Sequence, residues 1–210
     1  MTGYYATTDM AAGHLFSAYE GNTTSKNTQF FLLYLIIGSF PAAFIGFGFK
    51  NILESFFDNI FVVSISLIFT GLVLYSTSFI KRNQNKDLTI YDSIFIGFAQ
   101  AIAIIPGISR SGMTISIALL LGMSPKIAAK YSFLLAIPII SGAGLLTALN
   151  NSSGVQIPLV NSFAGLITAF LVGAIALKWL LSWLEKGKIH YFGIYCILIG
   201  LISLLYNGYN

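Results

Sequence analysis

Residues 104–114, IIPGISRSGMT, interrupt an apolar run that reads "SIFIGFAQAIA" before them and "ISIALLLGM" after them. Pro106, Gly107, Ser109, Ser111 and the permanently charged Arg110 stand where the hydrophobic pattern calls for membrane. This break restricts the fold more than any other feature, because backbone polar groups inside a bilayer must find partners within the protein. The apolar runs on its two sides, within 91–123, are each roughly 12 to 15 residues long, against roughly 20 for a full helical crossing. Irregular backbone at membrane depth is tolerated only where protein buries it or where it lines a cavity. The segment therefore reads as a re-entrant helix–loop–helix.

The membrane reading rests on composition. Of 210 residues, 56% are hydrophobic and 9% charged, with a mean hydropathy of +0.82, where soluble domains carry about 25% charged residues. The expected class is all-α, a polytopic helix bundle. Full spans are expected near 29–48, 60–80, 132–149, 159–181 and 191–207. Pro41 and Pro138 fall inside two of them among small residues, where neighbouring helices can satisfy the freed backbone groups. Residues 1–28 form a separate polar segment, and 29–210 a single transmembrane domain. The N-terminal stretch lacks a basic region followed by an apolar one, so no signal peptide is expected. Cys196 has no second cysteine to pair with and reads as a small buried hydrophobe.

Charge placement gives the sidedness. With the hairpin returning to its own side, one face receives Lys26, Lys81, Arg82, Lys86, Lys126, Lys130, Lys178, Lys186 and Lys188; the other receives Lys50 with Glu54 and Asp58. The first face is expected in the cytoplasm, with the C-terminus outside. Full crossings at 91–123 would give the same parity. These basic residues are topology signals between spans, so nucleic acid is not an expected partner.

At the break, donors converge and no acceptor is expected nearby. Pro106 is expected to end the first half-helix, Gly107 to turn the chain, and a second half-helix to begin near Ser111 with free N–H groups facing the break. Ser109, Ser111 and Thr114 add hydroxyls, and Arg110 a planar fork suited to phosphate oxygens. The spans contain no carboxylate to pair with Arg110, and Asp92 sits at the membrane edge. The pattern points to an anion site, most simply for the phosphate of a lipid that shares the bilayer with the loop. A structural ion pair is the competing account.

The residues PGISRSGMT, with GFAQAIAIIPGISRSG before and LLLGMSPKIAAKYSFLLAIPII after, resemble the PGxSRSxxT motif of the undecaprenyl-diphosphate phosphatase family. FPAAFIGFGFKNILESFF is similar to that family's proline-containing earlier span, and the resemblance runs from about residue 30 to the C-terminus. It implies an inverted-repeat fold with one broken hairpin in each half. It also implies hydrolysis of undecaprenyl diphosphate to the monophosphate carrier of cell-wall sugars, at a multi-pass protein of the bacterial inner membrane. Arg110 would hold the diphosphate, with Ser109 and Thr114 completing the catalytic set on phosphate oxygens. Gly107, Ser111 and Gly112 would line the bound substrate, and a divalent cation, magnesium, would assist. The partners implied are a polyprenyl diphosphate lipid, the membrane and a second copy in a homodimer.

The chain departs from the family pattern at its N-terminus. The family's first hairpin carries spaced glutamates and a serine-rich segment ending Gly-His-Leu. Here AAGHL offers Gly13, His14 and Leu15 with alanines in place of serines. Gln100 and Ile104 occupy the positions where an inverted repeat would align acids. His14 is the one candidate base, and slow hydrolysis is expected of these residues alone. The alternatives at this stage are a lipid-phosphate carrier or anion transporter, for which broken helices facing an anion are also used, and an inactive lipid-binding remnant.

Overall fold

The computed structural model describes residues 25–80, 86–150 and 159–209. Among them, the chain forms helices and no strand: α1 (Ser25–Gly48), α2 (Lys50–Phe57), α3 (Ile60–Ser76), α4 (Ile90–Ile102), α5 (Arg110–Leu120), α6 (Pro125–Asn150), α7 (Leu159–Glu185) and α8 (His190–Tyr209), with a 3₁₀ turn over Thr77–Phe79. Five stretches of the described residues are long and apolar enough to cross a membrane: Phe30–Gly48, Ile60–Phe79, Pro125–Thr147, Val160–Glu185 and His190–Gly208. They match the expected spans except at the start of α6, which begins seven residues before position 132. There Pro125 takes the first helical position, which it suits because the missing N–H needs no partner. Ser124 Oγ accepts from Ile127 N at 3.4 Å. Pro41 and Pro138 both lie inside continuous helices, as expected. Glu54 lies in the short helix α2, and Asp58 is its exposed C-cap residue.

Helices α4 and α5 are the two halves of the break. At 1.5 Å per residue, their 13 and 11 residues reach about 20 and 16 Å, well short of the roughly 30 Å hydrocarbon core. Packing supports a re-entrant hairpin at the centre of the bundle. α4 lies along α1, α5 touches α3 and α6, and α3 pairs along its length with α8. The core gathers around the hairpin: Ile96, Ile115, Ala118, Ala128, Ala129, Tyr131 and Leu135 are fully buried.

Glycines let these helices touch backbone to backbone. A Cβ on Gly97 would lie 2.5 Å from Gly38 O, which brings α4 onto α1. A Cβ on Gly193 would lie 2.6 Å from Gly71 O, which brings α8 onto α3. Small residues at such crossings are the usual device of membrane helices, which gain little from hydrophobic exclusion. Two hydroxyl ties reinforce the packing. Ser64 Oγ donates to Ser203 Oγ at 2.8 Å across the α3–α8 seam. Tyr131 Oη on α6 donates to Tyr34 O at 2.8 Å and meets Ser93 Oγ at 2.7 Å, joining α1, α4 and α6.

The mouth of α4 carries a capping box. Thr89 N and Oγ1 donate to Asp92 Oδ2 at 3.0 and 2.6 Å, and Lys86 Nζ donates to Asp92 Oδ1 at 2.7 Å. Burial alone would raise the Asp92 carboxyl; the hydrogen bonds from Lys86 and Thr89 outweigh it and hold the group below its ordinary range.

Candidate active site

The break does not begin at Pro106. α4 ends at Ile102, and the chain descends through tight turns, with Ile104 N donating to Ala101 O and Ile105 N to Ile102 O. Proline restricts the residue before it as well as itself, so a helix gives out ahead of it. The second half-helix starts beside Ser111, as expected. Ser109 is its N-cap, accepting from Gly112 N at 3.1 Å, and Arg110 is its first residue. Ser109 is therefore a capping residue, a role that also aims the first turn of α5 at the break.

Gly107 has φ +91°, a conformation that side chains rarely adopt. The turn also lies directly on α3: a Cβ at Gly107 would stand 2.5 Å from Val63 O and 2.9 Å from Ser66 Cβ. A residue outside the motif secures it. Thr70 Oγ1 on α3 donates to Gly107 O at 3.2 Å and accepts from Ser109 N at 3.1 Å. Thr70 was not legible as a site residue. The available signal was a threonine within the apolar run LIFTGLVL, but a hydroxyl in a membrane helix often bonds its own backbone, as Ser39 does to Leu35 O. Thr70→Val keeps the shape and removes both bonds. It should lower the midpoint of thermal unfolding in detergent, because a buried unpaired N–H costs about 1–3 kcal/mol; a midpoint equal to wild type would mean the bonds do not hold the loop.

Arg110 does have a partner, and it is neutral. Its Nε donates to Gln100 Oε1 at 3.0 Å, so the expected absence of any nearby acceptor is corrected. Asp92 is taken up by Lys86 and Thr89. Gln100 is 2% exposed. Beyond this bond, Arg110 Nη2 and Gln100 Nε2 are both buried donors without a partner among the described residues. The N–H groups of Arg110 and Ser111, in the first turn of α5, have no helical acceptor either.

The remaining predicted residues divide. Ser111 is half-buried on the first turn, and Gly112 is buried behind the Ser109 cap. Thr114 points elsewhere. It is 1% exposed, its Oγ1 donates to Arg110 O at 2.9 Å, and it lies 2.5 Å from Ser132 Oγ on α6. Its hydroxyl ties α5 to α6 and holds the backbone of Arg110. His14 lies outside the described residues.

Among the described residues, no group of three or more His, Cys, Asp or Glu side chains is placed to hold a metal ion. Magnesium is commonly held by one or two carboxylates together with substrate phosphates. Among the described residues, the side chains at the break are cationic or neutral, so none of them offers the carboxylate that a magnesium ion usually takes.

The family described as "Bacitracin resistance protein BacA" matches residues 2–202. The match takes in Gly13, His14 and Leu15, which the sequence resemblance, starting near residue 30, left out. The chain is 38% identical over 185 residues to "Undecaprenyl-diphosphatase 1" of Bacillus cereus, covering 87% of this chain and 68% of the relative. It is 37% identical over 185 residues to "Undecaprenyl-diphosphatase" of Korarchaeum cryptofilum, covering 88% and 70%. With the protein of that name from Bacteroides fragilis it shares 34% over 192 residues, covering 89% and 71%. The broken hairpin with its half-buried Arg110 thus sits in a sequence matched almost end to end, and the chain belongs to the bacitracin resistance protein BacA family.

Proposed function

We propose that this protein is an integral membrane phosphatase that converts undecaprenyl diphosphate to undecaprenyl phosphate and inorganic phosphate, recycling a cell-wall lipid carrier. The observation that carries the reading is the pair of buried, unpartnered donors, Arg110 Nη2 and Gln100 Nε2, where the last turn of α4 meets the first turn of α5. Burying such groups without an acceptor is costly. A phosphate oxygen supplies the acceptor, and a phosphate group uses the charge, the fork and the helix end together. A lipid substrate reaches this depth with its tail among the helices.

In this reading, Arg110 binds the terminal phosphate and offsets negative charge as the phosphorus–oxygen bond to the lipid phosphate breaks. Ser111 N–H and the end of the α5 dipole do the same without moving. Ser109 and Thr70 hold the loop in place, and Thr114 fixes the backbone of Arg110. The attacking water needs a base, and His14 is the residue proposed for it; a positioned base typically contributes about 10²–10⁴-fold. The experiment is incubation of the purified protein, reconstituted in vesicles, with undecaprenyl diphosphate. Appearance of the monophosphate supports a phosphatase. Movement of intact diphosphate between leaflets without hydrolysis would support the carrier instead.

The cytoplasmic membrane is the proposed location, with the loop at 81–90 inside and the loop at 150–158 outside. In a Cys196→Ser background, Asn85→Cys and Ser152→Cys can be compared using a membrane-impermeant thiol reagent on intact cells. Ser152→Cys alone should react. Reaction of Asn85→Cys alone would invert the orientation. A homodimer is the remaining proposal. It draws on α7, whose most apolar window is not buried by the bundle, and mass measurement in detergent should find two chains per particle rather than one.

A further inference from the structure

We infer that Gln100 is a substrate-binding and positioning residue, a neutral amide that orients Arg110 through its Nε edge while leaving the full guanidinium charge and a second donor, Gln100 Nε2, for the ligand's oxygens. The inference rests on the anion-site reading above and names a residue outside the PGISRSGMT motif.

The geometry leaves little freedom. Gln100 lies in the last turn of α4 and Arg110 opens α5, so the pair spans the break. Arg110 Nε can only donate, so the amide must turn Oε1 toward it, as it does at 3.0 Å. That orientation turns the NH₂ group away as a donor. Gln100 Nε2 and Arg110 Nη2 are then both buried and both without a partner among the described residues. Two orphan donors on one hydrogen-bonded pair are the complement of a ligand that brings acceptors only, which is what ionised phosphate oxygens are.

The neutrality of the side chain is the informative part. A carboxylate at position 100 would orient Arg110 equally well. It would also cancel the charge, and it would put an acceptor where the amide offers a donor, facing the incoming phosphate. Like charges brought together in a partly buried site are strongly unfavourable. Glutamine gives the orientation without the cancellation.

A packing role and a binding role for Gln100 rank two substitutions in opposite order. If Gln100 only packs, the isosteric Gln100→Glu is the milder change and Gln100→Leu the harsher one. If it acts as inferred, the order reverses. The test is binding of farnesyl diphosphate to the full chain in detergent, measured calorimetrically, with unfolding midpoints as the folding control. Loss of one hydrogen bond to a charged group, worth about 1.5–3 kcal/mol, should weaken Gln100→Leu by about tenfold or more. Gln100→Glu should lose at least about another tenfold, because its carboxylate neutralises Arg110 and repels the phosphate. Gln100→Met, of similar length, repeats the apolar arm should the leucine variant not fold. Wild-type affinity in the apolar arm, or a glutamate variant that binds better than the leucine one, would overturn the inference and leave the anion site standing. Absence of farnesyl diphosphate binding by the wild type would remove the anion site itself, and this inference with it.

Discussion

Replacing Arg110 by alanine should abolish useful affinity for a lipid diphosphate, with a loss of at least about a hundredfold. A hydrogen bond to a charged group contributes about 1.5–3 kcal/mol, and the guanidinium can present two to a phosphate. Losing both removes about 3 kcal/mol or more, which is roughly two factors of ten. Arg110→Lys should fall between alanine and wild type. It keeps the charge, but a lysine is a point charge without the planar fork, and it cannot keep the Nε bond to Gln100 as a fixed hinge. Calorimetry with farnesyl diphosphate checks both variants. Equal affinity in wild type and Arg110→Ala would show that the phosphate sits elsewhere.

The second large effect is structural. Gly193→Leu should pull α8 away from α3. Even a Cβ at this position would stand 2.6 Å from Gly71 O and 2.8 Å from Tyr75 N, and both are backbone atoms that cannot swing aside. Overpacking typically costs about 1–3 kcal/mol and more where backbone must move, so a loss at the upper end or beyond is expected. The protein should unfold at a markedly lower temperature in detergent or fail to purify as a single species. Gly142→Ala is the control. A Cβ at Gly142 meets nothing within 4 Å, so this change should be neutral or mildly stabilising through helix propensity. Equal behaviour of the two variants would mean that the α3–α8 contact does not hold the bundle together.

Much of this arrangement was legible in the amino-acid sequence because the bilayer makes hydropathy a strict ruler. The five long helices, the proline-containing spans and the short broken pair all follow from the length of apolar runs. Limits appeared where a residue's role depends on direction rather than on type. Thr114 and Ser111 both carry hydroxyls in the first turns of α5, yet Thr114 is committed to Arg110 O and Ser132 while Ser111 is not. Composition cannot distinguish them. Thr70 and Gln100 reach the break from other helices, and nothing in a run such as LIFTGLVL says which neighbour the hydroxyl will meet. The first half-helix ends at Ile102 for a local reason, since proline acts on the residues before it, and Ser109 is taken up as the cap of α5.

The proposed phosphatase activity turns on one bond, between the terminal phosphate and the rest of the lipid. The direct measurement uses undecaprenyl diphosphate carrying a radioactive label on its terminal phosphorus, supplied in detergent to the purified wild-type protein and to Arg110→Ala. The wild type should release the label as inorganic phosphate, leaving unlabelled undecaprenyl phosphate, and Arg110→Ala should lose at least about a hundredfold of that rate. Label that stays on the lipid in the wild type, or is released equally fast by Arg110→Ala, would contradict the account.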